Sequence, residues 1–156
     1  MKNIAYLILL LWIGVMTSCS NHDYLNAVPA ESTMLISINT AKMTGMGSQT
    51  LLKAFLRTTN INNTGIDVSK PVMLFEDAQG NLGICAKTDD EKQLGSLLEK
   101  MGVEIQETQG FHFAALPNHW MIGYSSESTI MMGPVLPAAQ SEMKQLMARY
   151  LKAKED

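Results

Sequence analysis

Apolar positions recur along this chain in two rhythms, every second residue and every third to fourth, and the switches between them mark its elements. Residues 33–39 form a β-rich apolar run in which Met34, Ile36 and Ile38 share one face, which predicts a half-buried strand. Leu51, Leu52, Phe55 and Leu56 then fall on one stripe, predicting a helix over 49–58 after an irregular, glycine-containing entry at 44–48. A polar loop occupies 60–69. Residues 71–76 and 82–87 read as two strands, and Asp77-Ala78-Gln79-Gly80-Asn81 between them supplies a glycine for a tight hairpin turn. Thr88 with Glu91 three residues later has the form of a capping box, and Asp89 and Asp90 add negative charge where a helix dipole favours it. Leu94, Leu97, Leu98 and Met101 give that helix its buried stripe, and Gly102 ends it. Residues 103–108, 111–116, 120–124 and 129–132 read as short strands with tight connections. Pro134 and Pro137 lead into a last helix striped by Met143, Leu146, Met147, Tyr150 and Leu151, followed by a charged tail at 152–156.

The predicted order is β-α-β-β-α-β-β-β-β-α. Hairpins alternating with helices favour an α+β domain, an antiparallel sheet with helices packed on one face. The first six elements have the β-α-β-β-α-β order of a ferredoxin-like split unit.

Ahead of this body lies a segment with a different pattern. Lys2 provides a positive start, residues 4–15 are an apolar run, and Met16-Thr17-Ser18-Cys19 follows. The run suits a signal peptide and is short for a membrane span, which needs roughly 20 apolar residues. Small residues before a cysteine make a lipobox, at which a bacterial lipoprotein is cut and diacylated; Met16 stands where Leu is usual. An ordinary signal peptide with a chance cysteine, or an uncleaved anchor helix, are the competing readings. The expected organisation is a lipoprotein signal over 1–18, a tether over 19–31 interrupted by Pro29, and a single α+β domain over 32–156, with Cys19 the lipidation site.

Composition sharpens this picture. Residues 19–156 retain 11 of the 12 basic residues against 15 acidic ones, a formal balance of −4. A mildly acidic chain without basic clusters argues against nucleic acid and against a polybasic grip on anionic lipid. The acyl chains at Cys19 would then be the whole anchor, and two or three chains suffice where one is marginal. With Cys19 lipidated, Cys85 is the only other cysteine, so no disulfide can form within the chain. Its setting, Leu82-Gly83-Ile84-Cys85-Ala86, reads as a buried strand position.

Candidate chemistry is sparse. His112 and His119 flank a predicted turn, and His22 lies in the tether; two imidazoles would still need a third ligand to hold a metal. Ten methionines after residue 18 invite Cu(I), but most lie on core stripes, and only Met43 and Met46 read as exposed together. Ser141-Glu142-Met143-Lys144 matches Ser-x-x-Lys, without the companion motifs of penicillin-binding enzymes. Ser125, Ser126 and Ser128 read as turn residues, no Gly-x-Ser-x-Gly elbow occurs, and Trp120 is a candidate for stacking on a sugar or peptide. No catalytic set, metal site or cofactor is expected from these residues.

Cys19, Asp23-Tyr24-Leu25, Val28-Pro29-Ala30-Glu31 and Leu35-Ile36-Ser37-Ile38-Asn39 together resemble the mature start of Bacteroides-type lipoproteins of domain-of-unknown-function family 4836, and Trp120-Met121-Ile122-Gly123-Tyr124 is similar to a later strand. Members are usually several times longer, so the resemblance implies a short or truncated relative. It implies an envelope address and no activity, cofactor or catalytic residue. The expectation is a non-enzymatic, lipid-anchored envelope protein that binds an envelope protein or glycan; an envelope hydrolase with an unrecognised site is the alternative. Ser20 carries no inner-membrane retention signal by analogy with enteric bacteria, which points to the outer membrane. Asp23 is the only early acid after Cys19, short of the cluster typical of surface export, which points to the periplasmic side.

Overall fold

The computed structural model describes residues 22–39 and 48–153, with the backbone alone at Ser48 and Leu51. Cys19, Met43 and Met46 lie outside the described residues. Seven strands, β1 (Met34–Ile38), β2 (Val72–Glu76), β3 (Leu82–Lys87), β4 (Ile105–Thr108), β5 (Phe111–Ala115), β6 (Met121–Tyr124) and β7 (Ser128–Gly133), form one antiparallel sheet. Among the described residues three α-helices accompany them: α1 (Ser48–Leu56), α2 (Glu91–Lys100) and α3 (Gln140–Lys152). The chain is thus an α+β fold.

The sheet order is β1-β2-β3-β7-β6-β5-β4. The first three strands meander inward from one edge in sequence. The chain then crosses by α2 to the far edge and meanders back until β7 pairs with β3. This corrects the ferredoxin-like expectation. A split unit needs its first strand inside the sheet, whereas β1, among the described residues, is an edge paired antiparallel with β2 alone. Element order is the same in both topologies; strand pairing separates them.

Helices cover both faces, not one. Leu52 and Leu56 of α1 and Leu94 and Leu98 of α2 pack with Val72, Ile84, Ile122 and Met131 on one side. Met143, Met147 and Leu151 of α3 pack with Phe75, Cys85, Phe113, Ile130 and Met132 on the other. The reason lies in the central strands. Every residue of β6 and β7 is buried, so their apolar side chains project in both directions and each direction needs a cover.

A short 3-10 turn at Asp23–Ala27 shares the α3 side. Tyr24 and Ala27 are each 2% exposed. The Tyr24 phenol donates to the Pro71 carbonyl at 2.7 Å, while the Tyr24 carbonyl accepts from Cys85 Sγ at 3.3 Å and Ser128 Oγ at 3.1 Å. Tyr24, Leu25 and Val28, the apolar residues of the tether segment that the sequence leaves able to dock, therefore pack against the domain.

Local chemistry explains most element ends. Asp77 closes the β2–β3 hairpin by accepting from Gln79 N, Asn81 N and Asn81 Nδ2 at 2.8–2.9 Å. α2 begins two residues later than the Thr88 capping box implies: Asp90 is the cap, accepting from Gln93 N at 3.0 Å. Thr88 is buried and shares a 2.8 Å hydroxyl contact with Thr129 across the sheet, so its side chain is committed elsewhere. Gly102, at φ +75°, ends α2: its N–H donates to Glu99 while Val103 N donates to Leu98, a Schellman closure.

Candidate functional site

The proposed motifs separate in space. His22 precedes the N-terminal turn without a side-chain capping bond, His112 lies in β5, and His119 lies in the β5–β6 connection at φ +63°. His112 is opposite Tyr124 in register and His119 sits at the other end of that hairpin, so the two imidazoles do not converge. Among the described residues no group of three His, Cys, Asp or Glu side chains is placed to hold a metal. Lys144 donates to Gln106 at 3.1 Å rather than to Ser141, although both Ser141 and Lys144 line a cleft of about 400 Å³. Trp120 is half-buried, edge-on to Phe55 at 4.5 Å, so it completes the core layer instead of presenting a stacking face. The Ser125 hydroxyl accepts from Glu127 N and Ser128 N and shapes the β6–β7 turn.

Cys85 is fully buried. Burial pushes its thiol up to about 12, so it stays protonated and unreactive at neutral pH. It acts as a small core residue with one weak hydrogen bond, to Tyr24.

Two features survive as sites. The first is a cleft of about 600 Å³ between α2 and strands β4–β6. His112 Nε2 meets Glu91 Oε1 at 2.9 Å, and the imidazole stacks on Tyr124 with ring centroids 5.0 Å apart. Glu99, Glu107 and Ser96 also line it. Burial first, then Glu91 and Glu99, raise the Tyr124 phenol above its ordinary value, so it remains a neutral donor. Gly95 lets α2 pass close to this hydroxyl; a Cβ there would stand 3.2 Å from it. Ser96 is five positions beyond Glu91, about 140° around the helix at 3.6 residues per turn, so it does not share the face that meets His112. The arrangement pairs a base with a carboxylate and lacks an aligned nucleophile.

The second feature is the outer edge of β1. Its five residues stay in unbroken register with β2, and among the described residues no strand pairs with the opposite side. Leu35 is 55% exposed and Ile36 46%. Leu35 lies opposite Phe75 on the α3 side, and Ile36 lies opposite Leu74 on the α1–α2 side, so exposed apolar surface flanks the edge above and below. Natural sheets blunt such edges with charge, proline or a bulge. The far edge follows this rule, with Gln106 and Glu107 exposed on β4. β1 reads Met-Leu-Ile-Ser-Ile and carries none of these devices. The sequence predicts a half-buried strand here with Met34, Ile36 and Ile38 on its inner face, but Ile36 is exposed. The strand's uncharged composition was visible, but only the strand order reveals that it stands at an edge.

Comparison with family models, with curated proteins and with solved structures returned no match to this chain.

Proposed function

We propose that this chain is a lipid-anchored envelope lipoprotein whose α+β domain is a non-enzymatic interaction module, with the outer edge of β1, unpaired among the described residues, as its contact surface. The observation that carries this reading is a regular, uncharged, apolar edge strand on a sheet whose other edge is polar. Such an edge offers unpaired backbone N–H and C=O groups to an extended segment of another chain, with side chains on both faces to fix register. It fits a polypeptide rather than a glycan, because its hydrogen-bonding groups repeat at strand spacing. The lipobox at Cys19 and the resemblance of the mature start support the envelope address. The docking of Tyr24 supports close tethering: four residue steps from Cys19 to Asp23 reach at most about 14 Å.

Radioactive palmitate labelling tests the anchor, and equal labelling of wild type and Cys19→Ala would sink it. A photo-crosslinking side chain at Ser37, in intact cells, tests the edge. The expected result is a discrete adduct from Ser37 that disappears when Ile36→Lys is added. Absence of any adduct defeats the edge reading.

A hydrolase is the second reading, favoured by one observation: His112, Glu91 and Ser96 line a single cleft. Loss of an esterase or amidase activity in both His112→Ala and Ser96→Ala would establish it over the first.

A further inference from the structure

We infer that the occupant of the β1 edge is a second copy of this chain, paired antiparallel about a two-fold axis to give one continuous fourteen-stranded sheet on the membrane. The inference rests on the edge reading above and names its partner.

Turning a strand end for end beside itself within a sheet is a rotation about an axis perpendicular to that sheet. Such a rotation keeps each face of the sheet on its own side. The N-terminal turn and α3 both lie on one face, since Tyr24 and Ala27 pack with Met143, Met147 and Leu151. In the paired assembly both N-terminal turns therefore stand on the same face. Both chains leave Asp23 toward Cys19 from that side, within a reach of about 14 Å each, so both anchors enter one membrane. A two-fold axis lying in the sheet plane would send the anchors to opposite sides.

The sequence of β1 suits this pairing. Face preservation requires Met34, Ile36 and Ile38 of one copy to meet the same set in the other, and Leu35 and Ser37 likewise. The register centred on Ile36 uses all five residues. It sets Ile36 against Ile36, Met34 against Ile38, and Leu35 against Ser37. No like charges meet, because the strand has no charge. By contrast, β4 pairing with itself in the register centred on Glu107 would set that exposed, charged residue against its own copy. The short strand buries less than the 1,200 Å² or so of a typical stable interface, so the pair is weak in free solution. Confinement of both anchors to one surface raises the effective concentration and compensates.

The test uses the full-length, lipidated protein in native membranes, co-expressed with two different tags. Ile36→Cys places one thiol on the two-fold axis, and Gln106→Cys places one on the opposite edge as control. Under mild oxidation Ile36→Cys is expected to give a disulfide-linked dimer carrying both tags, about tenfold or more above the same protein diluted in detergent, the gain that tethering supplies. Gln106→Cys is expected to give none. Absence of the Ile36→Cys dimer, or an equal yield from Gln106→Cys, overturns the inference. The Ser37 photo-adduct separates the two failures: an adduct to a different protein with no Ile36→Cys dimer defeats the second copy and leaves the edge reading standing, whereas no adduct defeats both.

Discussion

Replacing Tyr24 with alanine tests whether the residues just after the lipobox belong to the folded core. The ring is 2% exposed and sits in the α3-side layer. Truncating a buried aromatic costs about 3–5 kcal/mol. The change also removes the phenol that satisfies the Pro71 carbonyl at 2.7 Å, worth about 1 kcal/mol. The expected loss of about 4–6 kcal/mol is comparable to the whole stability of many domains, about 5–15 kcal/mol. Tyr24→Phe keeps the packing and should lose only about 1 kcal/mol. Urea unfolding of the form starting at Ser20 measures both, with fluorescence from Trp120, the one tryptophan left in that form. The denaturant slope should be unchanged for Tyr24→Phe. The pH dependence has a definite sign. Burial chiefly, with Cys85 and Asp67 adding, raises the Tyr24 phenol from 10.0 to about 12. The folded state thus holds this proton more tightly than the unfolded chain. Its contribution is complete below pH 10 and is lost as pH climbs through about 12. The stability gap between wild type and Tyr24→Phe should therefore narrow across that window. A Tyr24→Ala protein within about 1 kcal/mol of wild type would refute the docking and return residues 23–27 to the tether, since even one net hydrogen bond is worth that much.

Three further outcomes follow from the packing. Cys85, with its thiol pushed up to about 12 and no exposure, should resist iodoacetamide at pH 8 in the native protein and react once urea unfolds it, as read by intact mass; native labelling would contradict the burial. A Cβ at Gly83 would overlap the Phe75 ring, so Gly83→Ala should cost about 1–3 kcal/mol, and Phe75→Leu in the same chain should recover part of that in a double-mutant cycle. Burial works to raise the Asp77 carboxyl, but hydrogen bonds from Asn81, Tyr150 and Gln79 outweigh it and hold the group below its usual 3.8. Asp77→Ala should lose about 3 kcal/mol at pH 7, and wild type should lose this advantage as pH falls below 4, while a flat difference down to pH 2 would argue against the hairpin role.

Much of the fold was legible because periodicity reports local structure. Leu94 and Leu98 recur at helical spacing, and both are fully buried in α2; Met131 and Met132, neighbours in one strand, fall in different core layers. The two-layer cover was also written in the chain. Gly83-Ile84-Cys85-Ala86 and Ile130-Met131-Met132 are runs without a polar side chain, and such runs belong to strands buried on both faces. Strand pairing was not legible. Nothing local to residues 103–108 states that α2 carries the chain to the far edge, or that β7 returns to β3. The Glu91–His112 pair was missed for the same reason: Glu91 was assigned to a capping box, and its partner lies twenty-one positions away on a strand. Asp90 took the cap because Thr88 is spent on Thr129, a contact forty-one positions apart.

The same crossover sets where interaction surface can exist. By leaping to the far edge, the chain lets β7 close against β3 and places the polar β4 and the apolar β1 at the two margins. β1 comes first in the sheet and follows directly on the stitched turn at Asp23–Ala27. The margin without charge is thus also the one nearest in sequence to the proposed anchor. With β1 in that position, the uncharged edge and the proposed anchor belong to one proposed arrangement, in which a two-fold partner on the same membrane would meet β1 edge to edge with both α3 faces directed alike.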